Sequence, residues 1–416
     1  MANVLVVGSG AREAAIGVKF LASPQVDAVF VAPGNDGMTL LGLTPIAIDV
    51  MDFAGLIDFA RANVDLTFVG PEQPLVAGIV DAFVAAGQTI FGANRDLARL
   101  EGSKTFAKQL MQRHQLPTAR AEHVASLAAA EKVLAQWGAP LVVKADGLAA
   151  GKGVVVAQTV AAARAALQQL YGQDEHAPVL LEEYLSGQEA SVMAFFAGTK
   201  LVILPLSQDH KPRFNGDHGP NTGGMGAISP ARQFDAQQAQ AARELLTKTV
   251  AALADEGMRG CGVIYMGLMF TAAGPKILEY NMRLGDPETQ VLLPQVENDL
   301  YTLIQDLLAD KQVELQLNGN TYVGVVLSHP AYPAASRPAL PVAAPTEQML
   351  ANHCWLPAAV HNEAGQLFSA GGRVLTLVAA GPTPGAARNA VYALVRQYAG
   401  ELAYRDDIGV RSLASG

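Results

Sequence analysis

The stretch VVKADGLAAGKGVVVA, residues 142–157, carries an apolar run into Lys144, loosens through Gly147, Gly151 and Gly153, and returns to β-branched residues. Strand, glycine loop and strand read as a hairpin. A plain hairpin turn requires neither three glycines nor the pair Lys144 and Lys152. A loop whose main-chain N–H groups and lysines close on polyphosphate accounts for both. Glycine lets backbone approach a ligand, and successive N–H groups form an anion cradle.

Further along lies LLEEYLSGQEAS, residues 180–191, an apolar strand followed by Glu182, Glu183, a turn glycine and Glu189. It fits a strand end with solvated acids. It also fits a nucleobase slot, with main chain around Glu182–Leu185 pairing a base and a carboxylate taking ribose hydroxyls. The segment ILEYNMRLGDPETQ, residues 277–290, alternates Glu279, Asn281 and Arg283 with Tyr280, Met282 and Leu284. The period of two puts the polar trio on one face of a strand. That face is either wet or meets a metal and phosphates, for which oxygen donors and a guanidinium are suited. Between these segments, SQDHKPRFNGDHGPNTGGMGAISP (207–230) offers Gly219, Gly223, Gly224 and Gly226 for close backbone approach. Its Asp209, His210, Lys211, Asp217 and Asn221 could supply contacts. His210 and His218 lack metal-ligand partners at suitable spacing and read as loop histidines.

Composition bounds the class. The 416 residues suffice for two to four packed units, half are hydrophobic, and 16% are charged, which excludes a largely disordered chain. Net charge is −9, with 29 Lys and Arg against 38 Asp and Glu, arguing against general nucleic-acid or acidic-membrane binding. Two cysteines, Cys261 and Cys354, cannot form a disulfide framework and suit a reducing compartment. The apolar run of MANVLVVGSGARE is too short for a signal peptide, and no apolar stretch reaches the ~18 residues of a membrane span, so a cytoplasmic protein is expected.

The N-terminal region reads as strand–helix alternation (NVLVVGSG, AVFVAPGNDG, LTFVGPEQPLVAGIVDAFVAAG, then TIFGA), which predicts a parallel sheet with a crevice at the strand ends. GSGARE, residues 8–13, lacks the third glycine of a dinucleotide fingerprint, since Glu13 stands there. Its turn could still hold a phosphate on the N–H groups of Gly8–Ala11 beside Arg12; it equally fits a plain βα connection. EGSKT (101–105) has Leu97 where a Walker loop needs glycine. Residues 331–345 are Pro-rich and read as loop.

Taken in order, the Lys144 hairpin, the EEYL segment and Glu279-x-Asn281-x-Arg283 resemble the ATP-grasp superfamily. More closely, GSGARE, APGN, VGPEQPL, LEGSK, VKADGLAAGKGV, EEYLSGQEAS, SQDHK, GPNTGGMG and RLGDPETQ resemble the phosphoribosylamine–glycine ligases, along nearly the whole chain. The resemblance implies an α/β and α+β multidomain fold: a Rossmann-like N-terminal domain (1–100), an ATP-grasp domain (101–325, with a lid at 120–190) and a small C-terminal α+β domain (326–416). It implies ATP-dependent ligation of glycine to 5-phosphoribosylamine through a glycyl phosphate, in purine biosynthesis. Another ATP-grasp carboxylate–amine ligase and a non-catalytic nucleotide sensor are the alternatives.

By position, the resemblance assigns Glu279 and Asn281 to Mg²⁺ (or Mn²⁺). ATP falls to Lys104, Lys144, Gly151, Lys152, Gly153, Glu182, Glu183, Leu185 and Glu189. The substrates fall to Gly10, Arg12, Asp209, Asp217, Asn221, Thr222, Gly223, Gly224 and Arg283, with Arg283, Lys144 and Asp209 in catalytic roles. Transient contact with neighbouring pathway enzymes is also implied. The chain departs from the family pattern at Ala14, usually His, and at Pro212, usually Arg.

Overall fold

The computed structural model describes residues 1–148, 153–334 and 336–415. The N-terminal sheet is parallel throughout, in the order Thr44–Pro45, Val26–Pro33, Ala2–Gly8, Leu66–Val69, Ile90–Phe91. Val4 to Val7 are fully buried, as a strand covered on both faces must be. The strand order reverses about Ala2–Gly8, so the loops after it and after Leu66–Val69 open into one crevice. The helix Ala11–Leu21 packs Ile16 and Phe20 against this sheet.

The centre holds two antiparallel sheets. The larger runs Lys200–Ile203, Gln188–Ala197, Cys261–Thr271, Gly274–Asn281. Leu246 and Val250 of the helix Ala236–Asp255 share a core with Met266 and Tyr280 of this sheet. The smaller runs Ala121–Val124, Val179–Glu183, Leu141–Ala145, Val154–Ala157. Its strand–loop–strand at 141–157 is the hairpin expected from the glycine pattern. Two helices, Leu127–Trp137 and Val160–Gln173, bury one face of it through Leu134 and Leu167 against Leu141, Val143 and Leu181. The opposite face carries Val142, Lys144, Val154, Val156 and Glu182 and borders a cleft. Val156 is 45% exposed there, an apolar surface left for something flat to cover.

The C-terminal sheet is antiparallel, in the order Gln208–Asp209, Gly226–Ser229, Thr321–Ser328, Arg373–Gly381, Trp355–Pro357. Its first two strands come from the middle of the chain. Gly226 is required at this join, because a Cβ there would lie 2.6 Å from the Gly324 carbonyl oxygen. A division between residues 325 and 326 would cut the strand Thr321–Ser328. The helix Pro384–Tyr398 closes this core with Val391 and Val395. The Pro-rich segment expected as loop contributes a short strand, Pro341–Val342, paired with Gln366–Ser369. Among the described residues, no helix is long and apolar enough to cross a membrane.

Candidate active site

A cleft of about 770 Å³ runs between the smaller central sheet, the larger one, the crevice of the N-terminal sheet and the loop before Gly226–Ser229. It has the size of a small-molecule site. Fifteen of the expected residues line it: Arg12, Lys104, Lys144, Gly153, Glu182, Glu183, Leu185, Glu189, Asp209, Asn221, Thr222, Gly223, Glu279, Asn281 and Arg283.

The strand Gly274–Asn281 behaves as its alternation predicts. Tyr280, Met282 and Leu284 are buried, while Glu279, Asn281 and Arg283 face the cleft. A bulge opposite Gly267 precedes Glu279. Burial favours the neutral form of Glu279, but Lys211, Lys144 and Lys104 hold its carboxyl below the usual range. Lys211 Nζ lies 2.6 Å from Glu189 Oε1 and 3.7 Å from Glu279 Oε1.

Two lysines meet on the strand Val179–Glu183. Glu182 accepts from Lys144 Nζ at its Oε2 and from Lys108 Nζ at its Oε1, both at 2.8 Å. Lys144 Nζ also donates to the Leu278 carbonyl (3.1 Å). Glu183 Oε1 takes the Arg120 N–H and Lys276 Nζ, each at 3.0 Å.

Ser103 ends one helix and caps the next, Lys104–Arg113, accepting the Phe106 N–H. Asp146, at the end of the Lys144 strand, adds a second cap from outside: its Oδ1 takes the Lys104 N–H at 2.6 Å and the Gly147 N–H at 2.9 Å. Burial raises an acid, yet hydrogen bonds from Thr105 and from these N–H groups hold Asp146 below its usual value. Lys104 Nζ donates to the Gly147 carbonyl (2.6 Å), and burial pulls its ammonium below the usual lysine range.

At the other end, Arg283 Nε reaches Glu72 Oε2 (3.2 Å) and Glu101 Oε1 (3.3 Å), while Glu101 Oε2 accepts the Met282 N–H (2.7 Å). Burial opposes the Arg283 charge, but Glu101 and Glu72 hold it above the usual arginine range. Arg373 reaches in from the C-terminal sheet, its Nη2 2.9 Å from Asp286 Oδ2 and its Nη1 on the carbonyls of Gly223 and Asp286. The Gly223 N–H donates to Tyr332 Oη (2.9 Å). The hydroxyls of Ser191 and Tyr265 are paired at 2.6 Å, beside Glu288. Burial, then the charge of Glu288, raises Asp209 well above the carboxylate range.

Three expected residues do not line the cleft. The Gly10 N–H is taken by Glu13 Oε2 (2.7 Å), and Arg12 Nε by Glu13 Oε1 (2.6 Å), so Glu13 fills the turn that fitted either a phosphate or a plain βα connection. Asp217 pairs with Arg405 (3.0 Å) and Arg411. Gly224 sits behind the wall, where a Cβ would meet Pro287 at 2.3 Å and Asp209 Oδ1 at 2.7 Å. Gly151 and Lys152 lie outside the described residues. Beyond the expected residues, Lys108, Glu72, Glu101, Asp286, Glu288, Tyr265, Tyr332 and Arg373 also line the cleft.

A small antiparallel sheet facing a larger one across a cleft of lysines and carboxylates defines an ATP-grasp protein. The chain belongs to the phosphoribosylglycinamide synthetase family, whose N domain matches residues 2–101, ATP-grasp (A) domain 102–289 and C domain 322–411. It is 45% identical to the phosphoribosylamine–glycine ligase of Halalkalibacterium halodurans over 99% of this chain and 97% of that one. It is 42% identical to that of Lactococcus lactis over 99% and 100%. The crystal structure of the Thermotoga maritima phosphoribosylamine–glycine ligase superposes with a TM-score of 0.85 at 31% identity, covering 98% of this chain and all of that one. The biotin carboxylase domain of Hydrogenobacter thermophilus 2-oxoglutarate carboxylase, at 14% identity and a TM-score of 0.70, shares the fold.

Proposed function

We propose that this chain joins glycine to 5-phosphoribosylamine with ATP, giving glycinamide ribonucleotide, ADP and phosphate, by way of a glycyl phosphate. The observation that carries the reading is the meeting of Lys104, Lys144, Glu279, Asn281 and Arg283 in one cleft, on a chain that matches these ligases from end to end. The apolar face of Val154 and Val156 suits a purine ring, and Glu189 suits ribose hydroxyls.

Glu279 and Asn281 fit a divalent cation, Mg²⁺ or Mn²⁺. The carboxylate stays ionised despite burial, and the pleat sets a carboxamide oxygen beside it. Such an ion supplies charge neutralisation on the transferring phosphoryl group. Lys104 donates to the remaining phosphate oxygens, the charge of Lys144 acts on them through space, and Arg283, immobilised by Glu72 and Glu101, stabilises charge that builds on the acyl phosphate. The amine then attacks the glycyl carbonyl carbon, phosphate leaves, and the nitrogen sheds a proton. Asp209, a carboxyl made more basic by burial and by the charge of Glu288, suits that transfer. A cytoplasmic location and passing contact with enzymes that handle the unstable amine accord with this role.

The test is phosphate release with glycine and freshly generated phosphoribosylamine, each omitted in turn. Release should require both, and hydroxylamine should divert the acyl phosphate to glycine hydroxamate. Full release with another amine or acid would favour a different ATP-grasp ligase. Nucleotide binding without release under any mixture would favour a sensor.

A further inference from the structure

Lys108 is the least expected charge in the cleft wall. It lies four residues after Lys104, hence on the same helical face, and is 4% exposed. Its Nζ has three acceptors: Glu182 Oε1 at 2.8 Å, Thr118 Oγ1 at 2.7 Å and the Ala119 carbonyl at 3.4 Å. An ammonium has three N–H groups, so Lys108 has none to offer a ligand. The Thr118 hydroxyl gives its own proton to the Ile277 carbonyl (2.7 Å), so toward Lys108 it can only accept. The arrangement aims Lys108 at Glu182, whose charge opposes the burial that pulls the Lys108 ammonium below the usual lysine range.

Lys144 differs. Among the described residues its Nζ has two acceptors, Glu182 Oε2 and the Leu278 carbonyl, leaving one N–H directed elsewhere. Two buried ammonium groups thus share one carboxylate that is 2% exposed. A purely structural ion pair would need one lysine. With Lys108 neutralising Glu182, the charge of Lys144 stays available to a ligand.

We propose that Lys108 is a positioning residue that sets nucleobase choice, holding Glu182 as an acceptor-only carboxylate beside the free N–H of Lys144 and so selecting a 6-aminopurine over a 6-oxopurine. The inference rests on the nucleotide reading of the cleft. Adenine presents an amine donor at C6 next to the N7 acceptor, whereas guanine presents acceptors at both positions. The pair Glu182 and Lys144 is an acceptor next to a donor, complementary to the first pattern only. A 6-oxo group would set oxygen against carboxylate, the kind of mismatch in a polar site that discriminates by orders of magnitude. Releasing Glu182 from Lys108 allows it to swing away from the base edge, so that a 6-oxo group no longer meets a fixed carboxylate.

The full chain is compared with Lys108→Met and Lys108→Arg by calorimetric binding of ATP and GTP, and by kcat/KM for phosphate release with each. Lys108→Met should lower the ATP:GTP preference at least about tenfold, mainly through the ATP dissociation constant and KM, with kcat changing less. Lys108→Arg should restore the preference to within about threefold, since Arg also donates to Glu182. Equal losses for both nucleotides, or a fall in thermal midpoint with the preference intact, would overturn the proposal. Should Lys108→Met not fold, Thr118→Val removes one acceptor from Lys108 and should shift the same ratio a few-fold; an unchanged ratio there also overturns it. Binding reads the base preference whatever the amine and acid, so a wrong substrate pair would leave this result standing. A parent chain that binds GTP as tightly as ATP would sink the base-selection idea on its own.

Discussion

Beneath the small central sheet the cleft's positive charge is carried by lysines, and where the N- and C-terminal units meet it is carried by arginines. Among the described residues Lys104 has one acceptor through its side chain and Lys144 has two, so each keeps N–H capacity for a ligand. Arg283 is held by Glu72, Glu101, Asn281 and the Leu284 carbonyl, and Arg12 by Glu13 and that same carbonyl. Arg373 is held by Asp286 and two carbonyls. The arginine end is set before anything binds, as suits planar forks against carboxylates, whereas the lysine end consists of point charges that can be re-partnered.

The sharpest break in this contrast comes from Glu279→Gln, which keeps shape while removing the carboxylate that faces the lysines. It should lower kcat on the order of 10³-fold at limiting Mg²⁺ with the fold intact. Near-normal turnover would return this strand face to a merely wet one. The next is Arg283→Lys. Loss of the fork leaves buried Glu101 poorly paired, so kcat should fall about 10²-fold and stability by about 2–3 kcal/mol, measured by phosphate release and urea unfolding. The mirror change, Lys104→Arg, should alter KM for ATP within about tenfold and leave stability near the parent. If the two swaps cost the same, the two ends do not differ as described.

Substrate size gives a smaller effect. Gly223 lines the cleft and Gly224 behind it is pinned by Asp209 and Pro287, so the wall cannot retreat and alanine should be used roughly 10-fold or more less well than glycine. Equal rates would remove glycine from the assignment and leave the ligase class.

The smallest effect concerns His210, on the segment between Asp209 and Lys211 that links the two ends. Burial, then the nearby Arg405, lowers its pKa to about 4, against the opposing Asp217 and Asp407. Its Nε2 accepts the Gly409 N–H (3.3 Å), which requires the neutral ring. The unfolded chain takes up a proton near pH 6.5 and the folded one does not until near 4. Stability from this group is therefore full above about pH 6.5 and declines toward pH 4, by roughly 1 kcal/mol at about pH 5.5. His210→Gln should flatten that part of the unfolding profile; an unchanged slope would mean the ring is not held neutral.

How far the sequence reached follows from which signals are local. Lys144 and Glu279 were legible because a glycine loop and a period of two mark them within a few residues. Lys108 sits in an ordinary helix, and only its i+4 spacing from Lys104 hinted that both share a face. Arg373 meets Asp286 across 87 residues, a contact no local pattern encodes. Asp217 was drawn into the site by polar density in its loop, which cannot tell the side facing the cleft from the side facing Arg405. Gly10 was read as part of a phosphate turn because nothing in GSGARE shows that Glu13 folds back onto its N–H.

The C-terminal sheet's loan of Gln208–Asp209 and Gly226–Ser229 from mid-chain bears on inheritance. A unit that begins at Thr321 would carry an unpaired edge strand, having lost the four residue pairs from Gly226–Val325 to Ser229–Tyr322, and a core without Ile228. Exposed edges of that kind invite association with other chains. Recombination that swaps the residues from Thr321 onward for foreign ones must therefore also rewrite the segment 208–229 that walls the cleft.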